Sequence, residues 1–323
     1  VMAEGTIDDG TINQEAWAGI AKYCEEKGIS NQSFQASENT QTARMDAVSL
    51  AVKRGAMLVV CSGASFQDTL VQAAKEFPDV TFLGLDCSIP EGSPKNAVGV
   101  TFSEVQAGFL AGYAAVENGW TKLGFFSEKK DSQSILYGYG FVQGAQAYAK
   151  AKEMPAQSVE IRYAYADKPG NTPENQAVAK EWFQNGTEAI FTIGYELTNG
   201  VIAAAEEFGK QVIGADVNWS DASQNVAISA VKHYSQAVQD LIDLSYNEEL
   251  TGGSTVQRAA AENGIALTMD DSHLKNFTRK AYDNLVIALA DDVSGMAADL
   301  VNTPAGDGSL GASSIVVSEV KVI

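Results

Sequence analysis

The chain has 323 residues, enough for two domains of ordinary size, and 41 acidic against 22 basic residues give a formal net charge of −19. That balance argues against nucleic acid and anionic membrane surfaces as partners, because a phosphate backbone would be repelled. Three cysteines, Cys24, Cys61 and Cys87, are too few for a disulfide framework and read as buried free thiols, and no apolar run of roughly 18 residues is present to span a membrane.

The opening "VMAEG" reads as a strand already under way, so the lack of a visible signal peptide does not argue for the cytoplasm. Apolar periodicity then predicts helices over 13–27, 41–54 and 67–76. Between and after them "MLVV" (57–60), "VTFLGL" (80–85) and "AVGVTF" (97–102) have the unbroken apolar character of buried parallel strands. A helix rich in small residues follows in "GFLAGYAAVENGW", and a second series begins. Its strands are "KLGFF" (122–126), "VEIRYAY" (159–165), "EAIFTI" (188–193) and "KQVIGA" (210–215), with helices over 136–152, 173–184 and 197–207. "VAISAV" (226–231) is a further strand and "KHYSQAVQDLIDLSYNEEL" a further amphipathic helix. The rest is mixed, ending in "SSIVVSEVKVI", which alternates like a strand. Strand followed by helix, twice over, predicts an α/β protein of two doubly wound parallel-sheet lobes. The late return of the chain predicts a hinge of several strands, with lobe 1 as residues 1–103 and 232–290 and lobe 2 as residues 104–231 and 291–323.

In open α/β sheets ligands sit beyond the carboxyl ends of the strands. The residues there are Asp8, Asp9 and Asn13 after the first strand, Gly63, Ser65 and Phe66 after the second, and Asp86 after "VTFLGL". In the second series they are Gly194 and Tyr195, then Asp216, then Lys232. Carboxylates accept from vicinal hydroxyls or from amino and imino groups, and Phe66, Tyr137 or Tyr195 can offer an apolar face to a flat ligand. Each has an ordinary alternative. An Asp after a strand often caps the next helix, Lys232 can be a solvated helix-start lysine, and Tyr137 and Tyr139 can be core residues. Catalytic patterns are thin. His233 and His273 lack partners at metal spacing, Asp270-Asp271 reads as a turn, and "GYGFVQG" misses the dinucleotide glycine pattern by one residue. No metal, cofactor or catalytic residue is expected.

"IDDGTINQEAWAGI" resembles the opening signature of the basic membrane protein family of ABC-transporter substrate-binding lipoproteins, which runs Asp-Asp-x-Ser-Phe-Asn-Gln before an apolar helix. "VVCSGASFQDTL", "FPDVTFLGLD", "FSEVQAGFLAGYAA", "YGYGFVQGA", "IFTIGYELTNGVIAAA", "VIGADVNW" and "SAVKHYSQAV" follow in the family's order. The resemblance implies a type I periplasmic-binding fold with a ligand cleft between two lobes, and a receptor for a nucleoside, a purine nucleoside foremost. Such a receptor delivers its ligand to an ABC permease. The resemblance further implies an extracytoplasmic protein, at the cell surface or in the periplasm, lipid-anchored through a cysteine outside this sequence and acting as a monomer. Carried over by position, Asp9, Asn13, Phe66, Asp86, Tyr137, Tyr195, Asp216 and Lys232 are the ligand-binding residues, with Asp216 and Lys232 holding the ribose and Asp8 left to cap the first helix. Ile12 stands where the family has an aromatic, and Tyr137 where Phe is common. The same fold taking a flavin, sugar or amino-acid derivative is the alternative, followed by a nucleoside-acting enzyme.

Overall fold

The computed structural model describes residues 1–302 and 318–323. In chain order it runs α1 (Ile12–Lys27), α2 (Gln41–Lys53), β1 (Leu58–Ser62), α3 (Gln67–Glu76), β2 (Thr81–Leu85), β3 (Ala97–Phe102) and α4 (Glu104–Glu117). Next come β4 (Lys122–Ser127), α5 (Ser132–Ala151), β5 (Val159–Tyr165), α6 (Pro173–Gln184), β6 (Ala189–Ile193), α7 (Tyr195–Phe208) and β7 (Gln211–Asp216). The chain closes with β8 (Val226–Lys232), α8 (Tyr234–Tyr246), β9 (Ser254–Arg258), β10 (Ile265–Leu267), α9 (Arg279–Ala290) and β11 (Val320–Val322).

Two compact units result. The first is Val1–Phe102 with His233–Arg258, the second Ser103–Lys232 with Ala259–Ile323. Residues 259–290 therefore belong to the second unit, not to the first as the sequence suggested. The reason is strand pairing: β10 lies antiparallel to β8, Ile265 opposite Lys232. "SSIVVSEVKVI" lies partly outside the described residues, and its Val320–Val322 pairs parallel with β5.

The first unit is built on a parallel sheet of order β1-β2-β3-β9. β1 and β2 are buried along almost their whole length, as their apolar runs require when helices cover the sheet. Val59, Cys61, Phe66, Leu70, Phe82 and Cys87 lie together in its core, and all three cysteines are free and buried. The opening "VMAEG" contributes only isolated bridges, from Met2 to Gln35 and to Ser62.

The second unit has a sheet of order β10-β8-β7-β6-β4-β5-β11, parallel apart from β10. Its helices α4 and α5 approach backbone to backbone. A Cβ on Gly108 would lie 2.2 Å from Tyr137 O, and one on Gly112 2.0 Å from Phe141 O. In return, a Cβ on Gly140 would lie 2.0 Å from Val105 O and one on Gly144 2.0 Å from Phe109 O. Glycines four residues apart on each helix thus form the contact seam. The "GYGFVQG" run is a packing device, and it sets Tyr137 and the start of α4 close together.

Candidate ligand-binding site

In the first unit the opening loop is knitted to itself. Asp9 Oδ1 accepts from Thr11 N and Oγ1 at 2.9 and 2.6 Å, and its Oδ2 accepts from Thr6 N at 3.1 Å and Asn13 Nδ2 at 2.8 Å. Asn13 Nδ2 also donates to Glu4 O at 2.9 Å. Burial pushes the Asp9 carboxyl up, but the bonds from Thr11, Asn13 and Thr6 more than offset it and hold the group below its ordinary range. The cap of α1 is Thr11, which accepts from Asn13 N, rather than Asp8, which accepts from Thr6 Oγ1 at 2.6 Å.

Phe66 is fully buried in the core of this unit. Its place in a glycine-rich loop at a strand end suggested an apolar face for a ligand. Instead Gly63, at φ 100°, turns the chain into a 3₁₀ turn that drives the ring inward, where it offers no face. Asp86 stands at the end of β2, buried, in left-handed conformation at φ 53°, and accepts from Tyr234 Oη at 3.2 Å. The Tyr234 ring meets Phe102 edge-on at 5.0 Å.

The second unit repeats this device with more charge. Asp216, at the end of β7, is also left-handed, at φ 67°. A non-glycine residue held there stores of order 1 kcal/mol or more of strain, which marks the two strand-end aspartates as positions the surrounding structure enforces. Asp216 Oδ1 accepts from Tyr137 Oη at 2.9 Å and lies 3.2 Å from Lys232 Nζ. Lys232 Nζ lies 2.9 Å from Glu104 Oε1 and 5.5 Å from the centre of the Tyr137 ring. The side chains of Lys232 and Glu104 keep 1% and 5% exposure, against 35% for Asp216, and Tyr137 is fully buried. Asp216 is therefore the group that faces outward, with the other three behind it. Burial, with the Asp216 charge next, raises the Tyr137 hydroxyl well above its ordinary range, so it stays a neutral donor.

Beside this cluster Tyr195 is 41% exposed, and its ring packs on Trp219 at 5.1 Å. Trp219 is fixed in turn by its Nε1 donating to Ala215 O at 3.0 Å and by Ser229 Oγ accepting from its N at 3.1 Å. Such a ring is a firm platform for a flat ligand.

The structure thus brings Tyr137, Asp216 and Lys232 together, sets Tyr195 at a neighbouring strand end, pairs Asp9 with Asn13, and retires Phe66 to the core. Glu104, Trp219 and Tyr234 escaped the sequence reading. Glu104 follows the end of β3 by two residues and Tyr234 that of β8 by two, so the rule that selected Asp86 and Asp216 would have reached both. Trp219 follows Asp216 by three.

A family model described as "ABC transporter substrate-binding protein PnrA-like" matches residues 1–291. The nucleoside-binding protein BmpA of an ABC transporter from Lactococcus lactis subsp. cremoris is 23% identical over 305 residues, covering 87% of this chain and 84% of that protein. Basic membrane protein D of Borreliella burgdorferi is 26% identical over 285 residues, covering 86% and 80%. Among solved structures, an ABC-transporter solute-binding protein from Conexibacter woesei superposes with a TM-score of 0.74 at 20% identity, covering 93% of this chain and 97% of that one. A solute-binding protein from Aeropyrum pernix gives 0.69 at 20% identity, covering 90% and 85%. The fold is accordingly of the type I periplasmic-binding class, and the chain belongs to the Bmp family of PnrA-like ABC-transporter substrate-binding proteins.

Proposed function

We propose that this substrate-binding protein takes a nucleoside, a purine nucleoside foremost, and passes it to its ABC permease as an extracytoplasmic, lipid-anchored monomer. One observation carries the reading. Asp216 is a half-exposed carboxylate locked by Lys232 and Tyr137 beside the exposed ring of Tyr195. A carboxylate accepts hydrogen bonds from a vicinal diol, its neighbours hold it in place, and an aromatic face beside it suits a flat base. Lys232 and Tyr137 act here as supports of Asp216.

The relatives supply the class of activity: they are solute-binding proteins, and one carries nucleoside binding in its name. The alternative, a flavin, sugar or amino-acid derivative in the same fold, draws support from the buried Phe66 and from Ile12, which leave fewer aromatic faces than the family pattern would.

Isothermal titration of the protein and of Asp216→Ala with inosine, guanosine, adenosine, riboflavin and ribose tests the reading. Saturable nucleoside binding that weakens by roughly 2–4 kcal/mol in the variant is expected, since the ligand hydroxyls lose a charged acceptor. The same inosine samples checked for free base address turnover. Binding of riboflavin or ribose with none of the nucleosides would sink the proposal.

A further inference from the structure

Asp216 uses its two carboxylate oxygens unequally. Oδ1 accepts from Tyr137 Oη at 2.9 Å and lies 3.2 Å from Lys232 Nζ, whereas Oδ2 takes no partner among the described residues. Both supports of Asp216 thus converge on one oxygen. A carboxylate offers about four acceptor positions, so the other oxygen is left for hydroxyl donors from a ligand. The side chain keeps 35% exposure, which leaves it within their reach.

This division needs a cause. A lysine ammonium carries three donors on a flexible stem and can serve both oxygens of a carboxylate. Lys232 is held instead by a second anion: its Nζ lies nearer to Glu104 Oε1, at 2.9 Å, than to Asp216. The Lys232 and Glu104 side chains keep only 1% and 5% exposure, so salt screens their attraction little.

Neither side chain issues from a loose loop. Lys232 ends β8, whose Val231 lies opposite Asp216. Glu104 stands in the first turn of α4, where the unpaired N–H groups of the helix favour an anion. The glycine seam with α5 fixes that helix, and α5 carries Tyr137. Two carboxylates around one ammonium formally leave one negative charge over, and Asp216 is the more exposed of the two.

We infer that Glu104 is a positioning residue of the ligand site, which holds Lys232 back on Oδ1 of Asp216 and so keeps Oδ2 open and charged for the hydroxyls of the ligand. The inference rests on the reading of Asp216 as the acceptor of a ribose diol. When the Glu104 charge is removed, Lys232 keeps a single anion of this cluster and moves onto both oxygens of Asp216. Ligand hydroxyls must then displace it. That cost falls on ligands that donate to Asp216, and a sugar lacking the diol escapes it.

The test compares inosine with 2′,3′-dideoxyinosine on the protein and on Glu104→Gln, which keeps the side-chain shape without the charge. Calorimetric titration, with ligand-observed NMR where binding is weak, gives the four affinities, and circular dichroism verifies folding. The unaltered protein should favour inosine by roughly tenfold or more, and Glu104→Gln should weaken inosine by roughly tenfold while dideoxyinosine stays within about twofold. A residue that only supports the fold would weaken both ligands alike, and that result overturns the inference, as does unchanged inosine affinity. In either case the nucleoside reading stands. Equal binding of the two ligands by the unaltered protein removes the diol from Asp216 and the inference with it. Failure of inosine and dideoxyinosine to bind the unaltered protein at all overturns the nucleoside reading as well. Should Glu104→Gln fail to fold, Glu104→Asp, which draws the carboxylate back by one methylene, must show the same selective loss of inosine, and an unchanged ratio refutes the role.

Discussion

Lys232 shows how one buried side chain ties site to stability. Its ammonium is almost wholly out of water and faces Glu104, equally buried, and the more open Asp216. Removing one partner of a buried ion pair strands the other charge, at about 3–5 kcal/mol. Lys232→Met should therefore lower stability by about that amount, because Glu104 is left behind in the interior. Adding Glu104→Gln should restore most of the loss. Urea unfolding of both single variants and the double variant measures the coupling, and additive losses would show that the two side chains do not act as a pair. A separate consequence follows from Asp9, whose hydrogen bonds hold its folded-state pKa below the ordinary value of 3.8. A depressed carboxyl contributes stability above its unfolded value, and that contribution fades as the pH falls through the lower folded one. Asp9→Asn should thus be less stable than the parent at pH 7, with the gap closing as the pH falls below about 4. A gap that stays constant into acid would mean that the loop gains nothing from the Asp9 charge.

At the level of elements, the seam between α4 and α5 sets the site's geometry. A methyl on Gly140 would meet the Val105 carbonyl at 2.0 Å, and a backbone atom cannot swing aside as a side chain can. Alanine ordinarily improves a helix interior by roughly 0.5–1 kcal/mol over glycine, but overpacking of this kind costs about 1–3 kcal/mol. Gly140→Ala should therefore be net destabilising, and it should also weaken ligand binding, because Tyr137 and Glu104 ride on the two helices it forces apart. A variant as stable as the parent, or one that binds ligand equally well, would contradict this. The strands and helices of the main series were legible in the sequence, since buried parallel strands announce themselves as apolar runs and amphipathic helices by their period. The region after residue 250 was not. β9 is short with no fully buried residue, and β10 has three residues, so neither carries a pattern. The strand-end rule picked out Asp86, Asp216 and Lys232, yet it also offered Phe66 as a face for a ligand, and the ring is fully buried, because a ring after a glycine does not reveal which way the turn will send it. That Lys232 pairs with Glu104 is a tertiary fact. Nothing local in either stretch encodes it.

For the whole molecule the dominant physical fact is its charge. A net −19 surrounds a site whose named acceptor in the second unit, Asp216, is a carboxylate. An uncharged nucleoside approaches this field without penalty, whereas a nucleoside 5′-monophosphate carries its phosphate against it. The field reaches about 30 Å at 10 mM ionic strength and about 8 Å at 150 mM. Two ligands that share base and ribose should therefore part in their response to salt. Nucleoside affinity should stay nearly flat across that range, and monophosphate binding, weaker throughout, should strengthen as salt screens the repulsion. A site that held the phosphate on lysines or arginines would do the reverse, losing monophosphate affinity with added salt. Titrating guanosine and its 5′-monophosphate at both ionic strengths decides the matter. A monophosphate that binds as tightly as the nucleoside at 10 mM would show that the acidic surface does not select against phosphorylated ligands.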